Sequence, residues 1–257
     1  QKKNVIVKIY LDPKQDIHRF QREMYIYNQC QSQYSKWNTV LPQLYASDIL
    51  PLPYLIIEKV EGKTLGSWCN IEILDTKLIA SIIHTIVDLH SHTNVPKKYA
   101  RSSFYNFNYF LNKTLFSYSL NCLGKQQENV WRSYTKAAAS IAPLWDKYPN
   151  TLIFTDLHPS NIIISNNSFK FIDFDSISLG KGELDLAFLY LASLGTLIQK
   201  EVTSLIDKAV LSERKTIFDF FLFYLSFFQY GAILRDYPEK IVSLRKMLNN
   251  FVIRFDI

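Results

Sequence analysis

The chain has 257 residues, of which 48% are hydrophobic and 20% charged, enough length and apolar content for a buried core and against a disordered chain. The net charge of +6 suits an anionic partner such as a nucleotide, but Lys and Arg are scattered with no run longer than a pair, so no nucleic-acid partner is expected. Cys30, Cys69 and Cys122 are odd in number and lack C-x-x-C spacing, which argues against a disulfide framework or zinc site and for a reducing, cytoplasmic setting.

In chain order, the β-branched run 5–10 predicts a strand, ended by Asp12-Pro13. Residues 16–31 repeat apolar side chains at helical spacing, with Ile17, Phe20, Met24 and Tyr27 on one stripe and Asp16 as the N-cap. Residues 41–46 predict a short strand. Pro51 and Pro53 break the chain, and residues 54–60 predict a second clear strand. A hinge is expected at residues 58–62. Residues 75–92 predict a long amphipathic helix, capped by Asp75, with Leu78, Ile79, Ile82, Ile83, Ile86, Val87 and Leu89 on its apolar face.

Residues 99–150 read as mostly helical, with a loop around Gly124. Residues 162–164 and 169–172 predict two strands joined by Asn166-Asn167, a good hairpin turn. From Glu183 onward the reading is helical. The run 216–234 is rich in Phe and Tyr but carries Asp219 and Gln229. A spanning helix needs about 20 nearly uncharged residues, so this run predicts a buried or pocket-lining helix, and no transmembrane segment is expected. The N-terminal run 1–4 leads straight into the first strand, with no signal peptide visible.

The chemistry concentrates in Thr155-Asp156-Leu157-His158-Pro159-Ser160-Asn161. This fits D-L-x-x-x-N, the tail of the protein-kinase catalytic-loop signature. Twelve residues after Asn161 comes Asp173-Phe174, in the place of that signature's D-F-G. A hairpin between them brings Asn161 and Asp173 to its open end. An amide oxygen beside a carboxylate suits oxygen-loving Mg²⁺. Asp156, on the preceding loop, is placed to accept the proton of an attacking hydroxyl. Singly, each residue has a structural explanation: Asp156 as a turn or cap, Asn161 as a cap at a strand start, Asp173 as a solvated strand end. Their order and spacing around one hairpin favour function.

Val5-Ile6-Val7-Lys8 resembles the V-A-I-K strand, whose lysine holds nucleotide phosphates. Glu23, fifteen residues on and mid-helix, is the candidate carboxylate that orients Lys8. The alternative is an exposed edge lysine and a surface glutamate. At the hinge, the carbonyl of Glu58 and the N–H of Val60 are candidates for the adenine edge.

Taken together, these residues resemble the aminoglycoside phosphotransferase family, kinase-fold small-molecule kinases. Its pattern H-G-D-L-H-P-x-N, then I-D-F/W, then a glycine-containing segment ending in D-L-A, reads here as residues 154–161, Ile172-Asp173-Phe174-Asp175 and Gly182-Glu183-Leu184-Asp185-Leu186-Ala187. The match is specific around 151–190 and looser over 5–95. The resemblance implies an α+β, protein-kinase-like two-lobed fold, with a small β-rich N-lobe (residues 1–61) that binds nucleotide. A larger helical C-lobe (residues 62–257) would carry the catalytic loop, metal site and acceptor pocket. It implies Asp156 as catalytic base, Asn161 and Asp173 as Mg²⁺ ligands, and Lys8 with Glu23 as the phosphate-positioning pair. Asp185 would tie its helix to the catalytic loop, and His158 would support that loop. The implied reaction moves the γ-phosphoryl group of ATP, or another NTP, to a hydroxyl of a small molecule, sugar-like or aminoglycoside-like.

Phe154 stands for the pattern's His and Thr155 for its Gly. Phe154 is expected to pack as a scaffold residue. Asp175 replaces the D-F-G glycine and is a candidate for a second metal contact. No glycine precedes Gly62, and only seven residues precede Lys8, so the glycine-rich hairpin that covers phosphates is absent from this sequence. A longer natural N-terminus is expected, and the first strand is expected to be a bare sheet edge. The competing readings are a degenerate kinase-fold binding or regulatory protein, against which the intact Asp156, Asn161 and Asp173 argue, and a protein kinase, which Leu157-His158-Pro159 disfavours.

Overall fold

The computed structural model describes residues 4–12, 16–33, 37–66, 76–91, 96, 106–166 and 168–255. The small lobe is a three-stranded antiparallel sheet with one helix across it. Strand β1 (Val5–Ile9) and β2 (Leu44–Asp48) flank β3 (Tyr54–Glu58) in the order β1-β3-β2. β3 turns Leu55 and Ile57 into the core, as its period-two pattern requires. The strand expected over 41–46 begins three residues later. Trp37–Val40 forms a helical turn (α2) that takes the Leu41 N–H, and Pro42 has none to give to a sheet. β1 is an edge strand, with Val7 54% and Ile9 53% exposed.

Helix α1 (Ile17–Gln33) buries Phe20, Glu23, Ile26 and Tyr27 along one face. Its fully buried glutamate is the first sign that this face serves more than packing. Asp16 precedes the helix and accepts the Asp12 N–H at 3.2 Å, which closes the incoming loop.

Strand β4 (Lys63–Thr64) pairs with β6 (Ile162–Ser165) of the expected hairpin, in the larger lobe. β6 and β7 (Ser168–Phe171) pair with Ile162 opposite Phe171. Asn166 turns the hairpin at φ +45°, while Asn167 lies outside the described residues. A second ladder joins β5 (Thr151–Ile153) to β8 (Ser178–Gly180). The loop carrying Asp156 therefore runs from β5 to β6, and the loop carrying Asp173 runs from β7 to β8. Two short ladders thus frame two facing loops.

Helix α3 (Thr76–His90) buries Leu78, Ile79, Ile82, Ile83, Ile86 and Leu89, the apolar face its sequence predicts. Its expected cap, Asp75, and Cys69 lie outside the described residues. Then come α4 (Phe107–Phe110), α5 (Ser117–Leu123), α6 (Gln127–Trp145), α7 (Glu183–Ser193), α8 (Gln199–Ala209), α9 (Lys215–Phe228), α10 (Tyr230–Asp236) and α11 (Ile241–Phe255). The Phe-rich helix α9 is the centre of this lobe, buried from Ile217 to Phe227. Ring contacts explain the chain's aromatic content: Phe116 stacks on Phe227 at 4.5 Å, Phe223 on Phe251 at 5.0 Å, and Phe110 meets Tyr224 edge-on at 5.0 Å. Asp219, buried in this helix, is met by Arg254 Nη1 at 2.6 Å. No single helix among the described residues is long and apolar enough to cross a membrane, and the run through α9 and α10 is bent by 54°.

At the junction between the lobes, Gly62 has φ +144°, and a Cβ there would lie 2.2 Å from the Ile164 carbonyl oxygen. Both the backbone angle and the close approach require glycine. Gly62→Ala is expected to lower stability by about 1–3 kcal/mol, read from urea denaturation. An unchanged midpoint would show that β4 does not depend on this approach.

Candidate active site

The loop that leads to Asp156 is positioned by one carboxylate. Asp185, in the first turn of α7, is wholly buried. It accepts the Phe154 N–H at 3.0 Å and the Thr155 N–H at 3.3 Å, and pairs with His90 Nε2 at 3.0 Å. This is the tie between helix and loop that the sequence resemblance implied. Phe154 takes the scaffold place expected of it, packed against Phe171 at 5.2 Å and Phe174 at 5.7 Å.

Thr155 adopts φ +59°, a left-handed conformation that a β-branched residue disfavours and glycine accepts. The family-like pattern has glycine at this position. Here the conformation is held instead by hydrogen bonds: Thr155 Oγ1 donates to the Ser176 carbonyl at 2.5 Å, and Ser176 Oγ donates to the Phe154 carbonyl at 3.2 Å. These bonds also join the Asp156 loop to the Asp173 loop.

Beyond the exposed Asp156, His158 Nδ1 accepts the Ser160 N–H at 3.2 Å. Partial burial holds the imidazole below its ordinary pKa, and Nδ1 also lies 2.9 Å from Ser160 Oγ. The residues Pro159–Asn161 form one 3₁₀ turn, and Asn161 Nδ2 donates to the Asp156 carbonyl at 3.1 Å. The Ile172 N–H donates to the Asn161 carbonyl at 2.9 Å, which continues the β6–β7 register by one pair. Asp173, at φ +65°, therefore sits beside Asn161 at the open end of the hairpin.

Lys8 reaches this point from the small lobe. Its Nζ donates to Glu23 Oε2 at 2.7 Å and to Asp173 Oδ1 at 2.6 Å. Burial lowers the ammonium's pKa, but the charge of Glu23 and the hydrogen bonds that Lys8 donates to both carboxylates outweigh it, and Lys8 is held above its ordinary value. Tyr10 Oη donates to the same Glu23 oxygen at 2.5 Å. Burial and Glu23 push the phenol far up, so it remains a donor.

Asp175 is clasped from α1. Arg19 Nε donates to its Oδ2 at 2.7 Å, Arg19 Nη2 binds the same oxygen, and Arg22 Nε donates to its carbonyl at 2.6 Å. The carboxylate offered by the sequence for a second metal is thus engaged by a guanidinium. The Glu58 carboxylate accepts Lys170 Nζ at 2.5 Å and the Gln43 N–H at 2.9 Å. Its main chain, with that of half-buried Val60, is what the hinge offers.

Among the described residues no three His, Cys, Asp or Glu side chains gather into a metal cage. Asn161 and Asp173 still fit an ion that takes one or two protein oxygens and completes its shell with phosphates and water, as Mg²⁺ does. The amide nitrogen of Asn161 is committed to the Asp156 carbonyl, which leaves its oxygen as the ligand atom.

Five contributors escaped the sequence reading: Tyr10, Arg19, Arg22, His90 and Lys170. Tyr10 carried a signal, because it lies two residues after Lys8 on the same face of a strand. The others act across the fold. Arg19 and Asp175 are 156 positions apart, and His90 and Asp185 are 95 apart.

The Thr155 arrangement sets an order among variants. Thr155→Ala keeps the left-handed cost and loses a hydrogen bond worth about 1 kcal/mol. Thr155→Gly loses the bond but relieves the backbone. The glycine variant is expected to be the more stable of the two by about 1 kcal/mol. Equal or reversed midpoints in chemical denaturation would refute this account of the loop.

Residues 1–209 match the APH family, described as "Phosphotransferase enzyme family". No match was found among curated proteins. Among solved structures, the fold is similar to the GDP complex of aminoglycoside 2'-phosphotransferase-IIIa, at 15% identity and TM-score 0.61 over 97% of this chain and 86% of that one. It is also similar to an amicoumacin kinase in complex with AMP-PNP, Ca²⁺ and Ami, at 12% identity and TM-score 0.60 over 98% and 82%. A choline/ethanolamine kinase family protein from Mesorhizobium loti matches at 10% identity and TM-score 0.57 over 100% and 82%. These likenesses establish the α+β, kinase-like two-lobed fold. Because the family match spans most of the sequence, the chain belongs to the APH phosphotransferase family.

Proposed function

We propose that the chain transfers the γ-phosphoryl group of ATP, with Mg²⁺, to a hydroxyl of a small-molecule acceptor. The observation that carries this reading is the convergence of Lys8, Glu23 and Asp173, with Lys8 at 2.7 Å from Glu23 and 2.6 Å from Asp173 and Asn161 paired through its backbone with Ile172 next to Asp173. No local structural need explains a lysine tied to both lobes beside an amide and a carboxylate. Residues 1–61 serve as the nucleotide lobe and residues 62–257 as the catalytic and acceptor lobe.

In this reading Glu23, itself held by Tyr10, aims the Lys8 ammonium at the phosphates. The Glu58 carbonyl and the Val60 N–H take the adenine edge. Asn161 and Asp173 hold Mg²⁺, which would neutralise charge on the phosphates when bound. Asp156 orients the acceptor hydroxyl and takes its proton as the O–P bond forms and the bond to the nucleoside diphosphate breaks. Asp185 keeps Asp156 in place without touching substrate. Catalysis then comes mostly from positioning and charge.

Turnover of Mg-ATP with a panel of sugars, amino alcohols and aminoglycosides tests this. Asp156→Asn is expected to lower kcat by about 100-fold or more on any accepted substrate, and unchanged turnover would exclude Asp156 as the base. Lys8→Met is expected to lower kcat/KM for ATP by about 100-fold with the fold retained in circular dichroism. An unaltered value would remove Lys8 from the site.

A further inference from the structure

The turn that leads into α7 carries buried charge that the site described above does not use. Lys181, between β8 and α7, is 2% exposed. Its ammonium donates to the Tyr148 carbonyl at 2.5 Å and lies 5.2 Å from the centre of the Trp145 ring, at the end of α6. On the other side of Gly182, the buried Glu183 accepts Arg214 Nη2 at 2.9 Å, and the Arg214 guanidinium stands 5.2 Å over the Tyr148 ring. Burial and the charge of Arg214 push the Lys181 ammonium down to about 8, against the opposing pull of Glu183 and Asp146.

Packing alone does not call for a charge here. Replacing a buried charge by an apolar group of similar volume is often neutral or stabilising. The role that fits Lys181 is geometric. Thr151 pairs with Gly180 in the β5–β8 ladder, and the Lys181 bond to Tyr148 continues that pairing beyond the ladder's end. The Glu183–Arg214 pair secures the far side of the same turn, and Gly182 lies between them against His90. A helix turns about 100° per residue, so a slip of α7 by one residue would carry Asp185 away from the Phe154 and Thr155 N–H groups. Resting on the phosphotransfer reading above, we propose that Lys181 is a positioning residue: its ammonium fixes the start of α7 and, through Asp185, the path of the chain to Asp156, at a cost in stability. It touches no substrate.

Lys181→Met, of similar length and without the charge, tests this in the intact protein. A purely structural tie would lose stability on this change. The variant is expected instead to be at least as stable as the parent in urea at pH 7. The parent is expected to gain stability relative to the variant as pH rises from about 8 to 10.5, because there the unfolded chain keeps a proton that folded Lys181 has shed. Hydrogen exchange at the Phe154 and Thr155 amides is expected to quicken about tenfold, and kcat to fall about tenfold with KM for ATP unchanged. Lower stability at pH 7, unaltered exchange at those two amides, or unaltered kcat would each overturn the proposal. Faster exchange with stability retained, in a protein that transfers no phosphoryl group from Mg-ATP, would instead sink the reading of the reaction and leave Lys181 as the residue that positions the loop.

Discussion

The buried carboxylate of Asp185 is the constraint on which the rest of the site depends. A charge removed from water is costly unless its oxygens find donors. Asp185 meets that requirement with the backbone N–H groups of Phe154 and Thr155 and the ring of His90. The same bonds that satisfy the charge fix residues 154 and 155, and through them the path of the chain to Asp156. α3 supplies His90 and α7 supplies Asp185, so the packing of two helices sets the position of a loop. Gly182 belongs to this arrangement: a Cβ there would lie 2.4 Å from His90 Nδ1, so the family-like glycine leaves room for the imidazole.

A second level of order comes from the two short ladders. β5–β8 and β6–β7 hold four strand ends together, and the loops between them face each other. The loops are then joined by Thr155 and Ser176, each donating to a carbonyl across the gap. Thr155 and Asp173 both accept left-handed backbone angles. Such strain persists only where the surroundings over-determine the conformation, and it gathers at sites where geometry matters more than stability.

The small lobe connects to this frame through charge. Lys8 bridges Glu23 and Asp173, while Arg19 and Arg22 of α1 hold Asp175. α1 therefore touches both acidic residues of the Asp173-Phe174-Asp175 segment, directly or through Lys8. A displacement of that helix would break ion pairs at two points, which couples the lysine's position to that of the candidate metal ligands.

The sequence by itself determined most of the elements and the residues of the candidate site. Period-two and helical patterns placed β1, β3, α1 and α3, and the spacing from Asn161 to Asp173 across an Asn-Asn turn predicted a hairpin that would bring them together. Those signals are local, arising from side-chain alternation, turn preference and fixed rise per residue. Only the tertiary structure decided the rest. It shifted β2, because Pro42 and the α2 turn compete for the chain there. It gave Asp175 to Arg19, gave Asp185 to His90, and gave Lys181 to the Tyr148 carbonyl. These partners lie far apart in sequence, and what pairs them is the cost of burying an unmatched charge, which is set by packing and leaves no trace in local pattern.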